Sequence, residues 1–419
     1  MNRGSPGNLS CRFDTGNSMS RLLTSLFSGS AKANALRAVI LGAVALALFT
    51  ARLGTPTSYV FDEPSYVSSA RALLNGTADT NPEHPPLGKL LIAIGIKTFG
   101  DNPVGWRFSS AVAGATTVVG MFYLALLLLD NSSLAMLAAI LTLLDNFTFV
   151  LARVAMLEVF IMMFAVTGVA AWLAAHRGIY PRRMLALAGA LLGCAVAVKW
   201  SAAVILVAVG LITLILWISD RWCAGWRYTI FGLCFLPVFS YYLSFWPLCR
   251  SQHVALSVSQ VASRSIFILQ FHRHFVGNRG LVSHWYQWVF RTEPQRALSY
   301  MVGNWAVCWL GLAAVLFCAY SLIRKPALAE GVVVALFVGS LFQWAIIGRS
   351  FTYYYYYSIA ATFLCLAVPT ALRQQPDYNV LGVRVSLLCM VSAAVIFLYC
   401  LPQMAHLGSP YNSMLGYWP

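Results

Sequence analysis

Long apolar runs separated by short polar connections organise this chain, and the runs have the length of membrane helices. The first occupies about residues 35–51, bracketed by Arg37 and Arg52. Later runs fall at about 108–129, 133–151, 155–175, 184–200, 202–218, 228–247, 303–323, 330–347, 354–372 and 384–401. A helix rising about 1.5 Å per residue needs roughly 20 residues to cross the hydrocarbon of a bilayer. The pattern therefore predicts an all-α polytopic membrane protein with about eleven transmembrane helices. Two long polar stretches, 53–107 and 248–302, interrupt it.

The connections set an orientation. Residues 1–32 hold no apolar run and are rich in Ser, Gly and Asn, as a disordered tail is. The late start of the first apolar run argues against a signal peptide. Arg3, Arg12, Arg21 and Lys32 lie in that tail. Arg177, Arg182 and Arg183, then Arg221 and Arg227, Arg324 and Lys325, and Arg373 and Arg384 mark alternate connections. Basic residues in short loops mark the cytoplasmic side, so the tail is expected there. Both long stretches and the tail 402–419 are then expected on the outer face.

Composition agrees. Of 419 residues 59% are hydrophobic and 10% charged, against about 25% charged in soluble domains. The net charge of +15 comes from basic residues spread singly between apolar runs, which suits lipid headgroups rather than nucleic acid. The ten cysteines form no CxxC pair and mostly lie in apolar runs, so they read as small core hydrophobes. No internal period and no separate soluble domain stands out.

Candidate chemistry gathers in the polar stretches. Asp62 and Glu63 are adjacent in a chain with 13 acidic residues. Pro64 suits the first turn of a helix, where carboxylates are favoured. A carboxylate at the membrane surface can act as general base toward a hydroxyl, and adjacent side chains need not share one task. Lys89, Arg107, Arg153, Glu158, Lys199 and Arg349 are charges in or near spans, where charge is costly. Arg107 and Lys199 have no evident acidic partner in sequence. They either snorkel to headgroups or converge on a phosphate, to which arginine offers a two-pronged fork. Arg153 and Glu158 either lock a helix start or serve a substrate. His84 has no companion His or Cys at ligand spacing, so a zinc site lacks support. Ser283-His284-Trp285-Tyr286-Gln287-Trp288 combines aromatic planes with polar tips, suiting a sugar, a peptide or an interfacial anchor. Tyr353–Tyr357 reads equally as interfacial belt. There is no P-loop and no GxGxxG.

In order, these motifs resemble the protein O-mannosyltransferase family, membrane glycosyltransferases of the GT-C class. The resemblance rests on Asp62-Glu63, on His84-Pro85-Pro86-Leu87-Gly88-Lys89 and on Arg107-Phe108-Ser109-Ser110-Ala111. It continues through Arg153 to Glu158, where Glu stands for the family's Asp, and through Lys199-Trp200, His284 to Trp288, Gly303-Asn304-Trp305 and Arg349. Trp288 lacks the Pro-Leu that follows in the family, and Trp305 replaces a proline. The tyrosine tract lacks the family's histidine, and 248–302 is too short for a carbohydrate-binding repeat domain. Asp62-Glu63-Pro64 also resembles the lipid A aminoarabinose transferases.

The resemblance implies a GT-C fold over 33–401, embedded in the plasma membrane or endoplasmic reticulum with its site on the outer or luminal face. It implies an inverting transfer of mannose from a polyprenyl-phosphate donor to Ser or Thr of a protein, or of another sugar to lipid A, a glycolipid or a cell-wall polymer. Asp62 is then the expected base, Glu63 orients sugar or acceptor, and Arg107, with Lys199 and Arg153, holds the donor phosphate. His84, Lys89, Glu158, His284, Trp285, Trp288 and Arg349 complete the expected substrate region. A divalent metal is compatible with this chemistry but not required by it. A transporter or flippase would also carry buried charges, but it predicts inverted repeats and broken helices in matching halves, which the sequence lacks.

Overall fold

The computed structural model describes residues 29–274, 283–291, 301–347, 352–374 and 383–405. Most of the expected tails, parts of the second polar stretch and Arg349 lie outside them. Every regular element among the described residues is helical. Helix α1 (Gly29–Thr50) leads into α2 (Glu63–Asn75) and α3 (Leu87–Phe99). Next come α4 (Pro103–Leu129), α5 (Ser132–Leu143), α6 (Asn146–Leu151), α7 (Glu158–His176) and α8 (Pro181–Val198). A 3-10 turn at Trp200–Ala202 opens α9 (Ala203–Ile218). α10 (Trp226–Ile230), a π-turn at Phe231–Phe235, α11 (Leu236–Ser244) and α12 (Trp246–Ser251) follow one another closely. The second polar stretch holds α13 (Val258–His274) and α14 (Trp285–Trp288). Four helices finish the chain: α15 (Trp305–Arg324), α16 (Leu328–Ile346), α17 (Ser358–Leu372) and α18 (Val383–Ala405).

Among the described residues ten segments are long and apolar enough to cross a membrane. The expected span at 133–151 is the difference: it is divided into α5 and α6. Asp145 divides it by capping α6, its Oδ2 accepting from the backbone N and Oγ1 of Thr148, both at 2.9 Å. As an N-cap, Asp145 has an extended backbone, φ −72° and ψ 124°, through which the preceding helix cannot continue. The first long polar stretch also differs from a plain loop, since it folds into α2 and α3. Asn102 caps α4, accepting from Val104 N at 3.0 Å and Gly105 N at 3.2 Å, and Pro103 follows at the first helical position.

α7 packs against α4 and α8, and α17 against α15, α16 and α5. These two are the heart of the bundle: 78% of α7 and 89% of the Tyr354–Leu372 segment are buried, against 22% of α1. Exposed Leu211, Ile215 and Ile218 on α9, and Leu388 and Leu398 on α18, present an outer surface that suits lipid. α3 lies unusually close to α4. A Cβ at Gly95 would stand 2.3 Å from the Gly105 carbonyl oxygen, so only glycine admits this contact. α7 and α8 lie side by side and run in opposite directions, which returns Lys199 to Glu158 at one end of the bundle. The connection 177–180 is left at the other end.

Candidate active site

The site grows from the turn before α2. Phe61 there has φ +49°, a left-handed conformation that costs a non-glycine residue on the order of 1 kcal/mol or more. The carboxylate of Glu63 holds the turn in place: its Oε2 accepts from Val60 N at 2.8 Å, while Glu63 N donates to Val60 O at 3.0 Å. The two acidic neighbours then part company. Glu63 is fully buried, whereas Asp62, the N-cap residue of α2, is partly exposed.

Glu63 meets Arg107 of α4. Arg107 Nε donates to Glu63 Oε1 at 2.7 Å and Nη2 to Oε2 at 2.8 Å. The remaining donors reach Leu53 O (3.2 Å), Pro56 O (2.8 Å) and Ser58 O (3.1 Å). A guanidinium has five N–H groups, and all five have acceptors here. Glu63 Oε1 also accepts from Ala155 N at 2.9 Å. The fork expected to grip a phosphate is thus closed around a carboxylate and three carbonyls, with Arg107 fully buried. In this structure the two residues tie the 53–63 segment to α4 and to the chain before α7.

Arg153 is committed through one nitrogen, while its buried Nε has no hydrogen-bond partner among the described residues. Its Nη1 donates to Leu48 O (3.2 Å), Phe49 O (3.1 Å) and Ala51 O (2.6 Å), the carbonyls at the end of α1. A cation there satisfies orphan carbonyls and complements the helix dipole. It therefore closes α1 rather than pairing with Glu158. Lys89 is a third staple: its Nζ, fully buried, donates to Asp79 Oδ2 (2.7 Å), Asn81 O (2.5 Å) and His84 O (3.0 Å). It folds residues 79–84 over the start of α3. His84 is half-buried, its ring 6.0 Å from Tyr66 and 5.3 Å from His272 of α13, so it joins the two polar stretches.

Asp62 faces a different group. Tyr355 Oη donates to Asp62 Oδ2 at 3.3 Å, and the Phe61 ring stands edge-on to Tyr355. Lys199 Nζ donates to Glu158 Oε1 at 2.6 Å and lies 4.5 Å from the centre of the Tyr356 ring. Burial, then the negative field of Glu158, push the Asp62 carboxyl up to about 6, while Lys199 and the Tyr355 hydroxyl oppose the rise. A carboxylate poised near neutrality is suited to accept a proton from a hydroxyl.

The aromatic motif divides. Trp288 is 1% exposed, donates to Ser283 Oγ at 2.8 Å and packs against Trp344, Tyr356 and Tyr357. It braces the tyrosine tract from behind. Trp285 packs on Phe342, and exposed His284 stacks on Tyr286. None of the contacts described for these three reaches Asp62. Arg349 lies outside the described residues. Tyr355, Tyr356, Phe61 and Asp79 went unpicked from sequence. The signal available was the tract Tyr354–Tyr357: all four are buried, unlike belt tyrosines, which keep a wet tip.

Residues 39–250 match the family described as dolichyl-phosphate-mannose-protein mannosyltransferase. A polyprenol-phosphate-mannose–protein mannosyltransferase of Mycolicibacterium smegmatis is 34% identical over 212 residues, covering 43% of this chain and 41% of that relative's length. One from Corynebacterium glutamicum is 24% identical over 76% of this chain and 77% of its own. Among solved structures, the S. cerevisiae protein O-mannosyltransferase Pmt1-Pmt2 complex bound to the sugar donor superposes with a TM-score of 0.76 at 12% identity, over 89% of this chain and 90% of that one. ArnT from Cupriavidus metallidurans in the apo state gives 0.58 at 16% identity, over 88% and 76%. The fold is that of the GT-C membrane glycosyltransferases, and the chain belongs to the dolichyl-phosphate-mannose-protein mannosyltransferase family.

Proposed function

We propose that the protein transfers mannose from a polyprenyl-phosphate donor to Ser or Thr hydroxyls of a protein acceptor, with inversion at the anomeric carbon. The observation that carries the reading is Asp62: a partly exposed carboxylate raised to about 6, aimed at the tyrosine tract beside a lysine–glutamate pair. Asp62 takes the proton as the hydroxyl oxygen attacks the sugar. The C–O bond to the lipid phosphate breaks, and the phosphate leaves with the bonding pair. Lys199, whose positive field reaches Asp62, offsets part of the charge that develops on the departing phosphate. Glu63 and Arg107 hold Asp62 in position without touching substrate, and Lys89 does the same for the 79–84 segment.

The site lies at the end of the bundle opposite the connections that carry Arg177, Arg182, Arg183, Arg221 and Arg227. The charge rule therefore supports an outer-face site. The resemblance of Asp62-Glu63-Pro64 to the lipid A aminoarabinose transferases supports a second acceptor class, a glycolipid, on the same machinery. Purified protein incubated with radiolabelled polyprenyl-phosphate mannose and a Ser/Thr-rich peptide should label the peptide, and Asp62→Asn should abolish most of the label. Label passing only from an aminoarabinose donor to lipid A would replace this reading with the second one.

A further inference from the structure

The molecule holds a second built site, at the opposite end of the bundle. α7 runs away from Glu158 for 19 residues, roughly 28 Å, and α9 runs the same way from the Lys199 end. Their far ends meet through a ring stack: Trp222 lies 6.0 Å from Trp172 and 5.5 Å from His176. Beside this stack, α9 and the α10–π-turn segment form an open groove of about 500 Å³ lined by Gly210, Leu214, Trp217, Trp226, Ile230 and Leu233, of which Leu214, Trp217, Trp226 and Ile230 are exposed. That volume falls within the roughly 300–1,000 Å³ of small-molecule sites. Thr213 and Thr229 also line it, but both hydroxyls are engaged by indoles: Trp172 Nε1 donates to Thr213 Oγ1 at 2.8 Å and Trp222 Nε1 to Thr229 Oγ1 at 2.9 Å. The wall is left apolar, suited to a hydrocarbon chain. The π-turn that forms one side is a distortion frequent at functional sites.

The membrane-boundary end of α10, beside these lining residues, has the opposite character. Arg182 lies over the Tyr228 ring at 4.3 Å and Arg227 over the Trp226 ring at 5.4 Å, both exposed. Arg177, Arg183 and Arg221 are exposed nearby in the same two connections. Among the described residues no ion pair engages any of the five. Exposed Trp217 and Trp226 stand at the mouth, as tryptophans at a headgroup boundary do.

We propose that this groove binds one anionic glycerophospholipid, its acyl chain between α9 and the π-turn and its phosphodiester on Arg182 and Arg227. Basic pockets between membrane helices recognise anionic headgroups in this way. The site is separate from the one assigned to sugar transfer, and its occupant comes from the other leaflet.

Native mass spectrometry of the whole protein from detergent tests it, with dioleoylphosphatidylglycerol and dioleoylphosphatidylcholine as probes. Each basic side chain near an anionic lipid is worth roughly a factor of five. Wild type should therefore retain the anionic lipid about 25-fold better than the zwitterionic one. The pair Arg182→Gln, Arg227→Gln should lose that preference. A Cβ at Gly210 meets no atom within 4 Å, so Gly210→Phe places a ring in the groove from an unobstructed Cβ and should sharply lower retention with every arginine in place. Equal retention of the two lipids by wild type, or phosphatidylglycerol retention unchanged in both variants, overturns the proposal. Displacement of phosphatidylglycerol by equimolar polyprenyl phosphate, itself blocked by Gly210→Phe, overturns it in favour of a prenyl chain.

Discussion

Arg107→Lys separates a structural clamp from a phosphate fork. In wild type five N–H donors meet Glu63 Oε1 and Oε2 and the carbonyls of Leu53, Pro56 and Ser58, at 2.7–3.2 Å. Lysine keeps the charge but has three donors, so at least two acceptors lose theirs inside a fully buried site. Hydrogen bonds to charged groups contribute about 1.5–3 kcal/mol each, which places the loss at roughly 3–6 kcal/mol. That is a large part of the about 5–15 kcal/mol by which native proteins are stable. Thermal unfolding in detergent, followed by tryptophan fluorescence, should show the midpoint falling by roughly 3–7 °C. Turnover should fall with it, because the turn that carries Asp62 hangs on Glu63. A phosphate fork, the role the family resemblance implies, predicts the reverse: donor affinity lost and thermal stability kept. An Arg107→Lys protein that melts within about 1 °C of wild type while losing donor affinity would refute the clamp.

Three further outcomes follow from the same geometry. With Asp62 at about 6, the rate must decline as pH drops through that value, because the base is lost on protonation. Asp62→Asn should lower turnover by about 10²-fold and remove this limb from the rate–pH profile; a limb that survives the substitution assigns the base elsewhere. Lys199→Met strands the Glu158 carboxylate beside Asp62 and should cost about 3–5 kcal/mol, much of it recovered in the Lys199→Met, Glu158→Gln double variant; additive losses in denaturation would show that the two side chains are not coupled. Asn304 caps α15, and its Nδ2 donates to Leu144 O at 2.8 Å and Ala393 O at 2.9 Å. Asn304→Ala should therefore destabilise the bundle by about 2–4 kcal/mol, and an unchanged melting midpoint would discount those bonds.

The sequence alone determined where the chain crosses the membrane and which residues carry charge in a costly place. Hydrophobicity accumulates residue by residue along a helix, so spans are legible locally and their apolar length sets their existence. The one span misread, 133–151, contains a local signal too, since Asp145 can cap a helix as well as interrupt one. What each charge does was decided by tertiary structure. Glu63 finds Arg107 across 44 residues, Lys199 finds Glu158 across 41, and Tyr355 reaches Asp62 across 293. Arg153 is five residues from Glu158, yet it turns to the end of α1, because the α7–α8 packing brings Lys199 to that carboxylate. A buried charge takes whichever partner the packed helices place within about 3 Å, and linear spacing does not encode that distance. Separation along the chain therefore could not show that of two adjacent acids, Glu63 would be buried against Arg107 and Asp62 left partly exposed beside Tyr355.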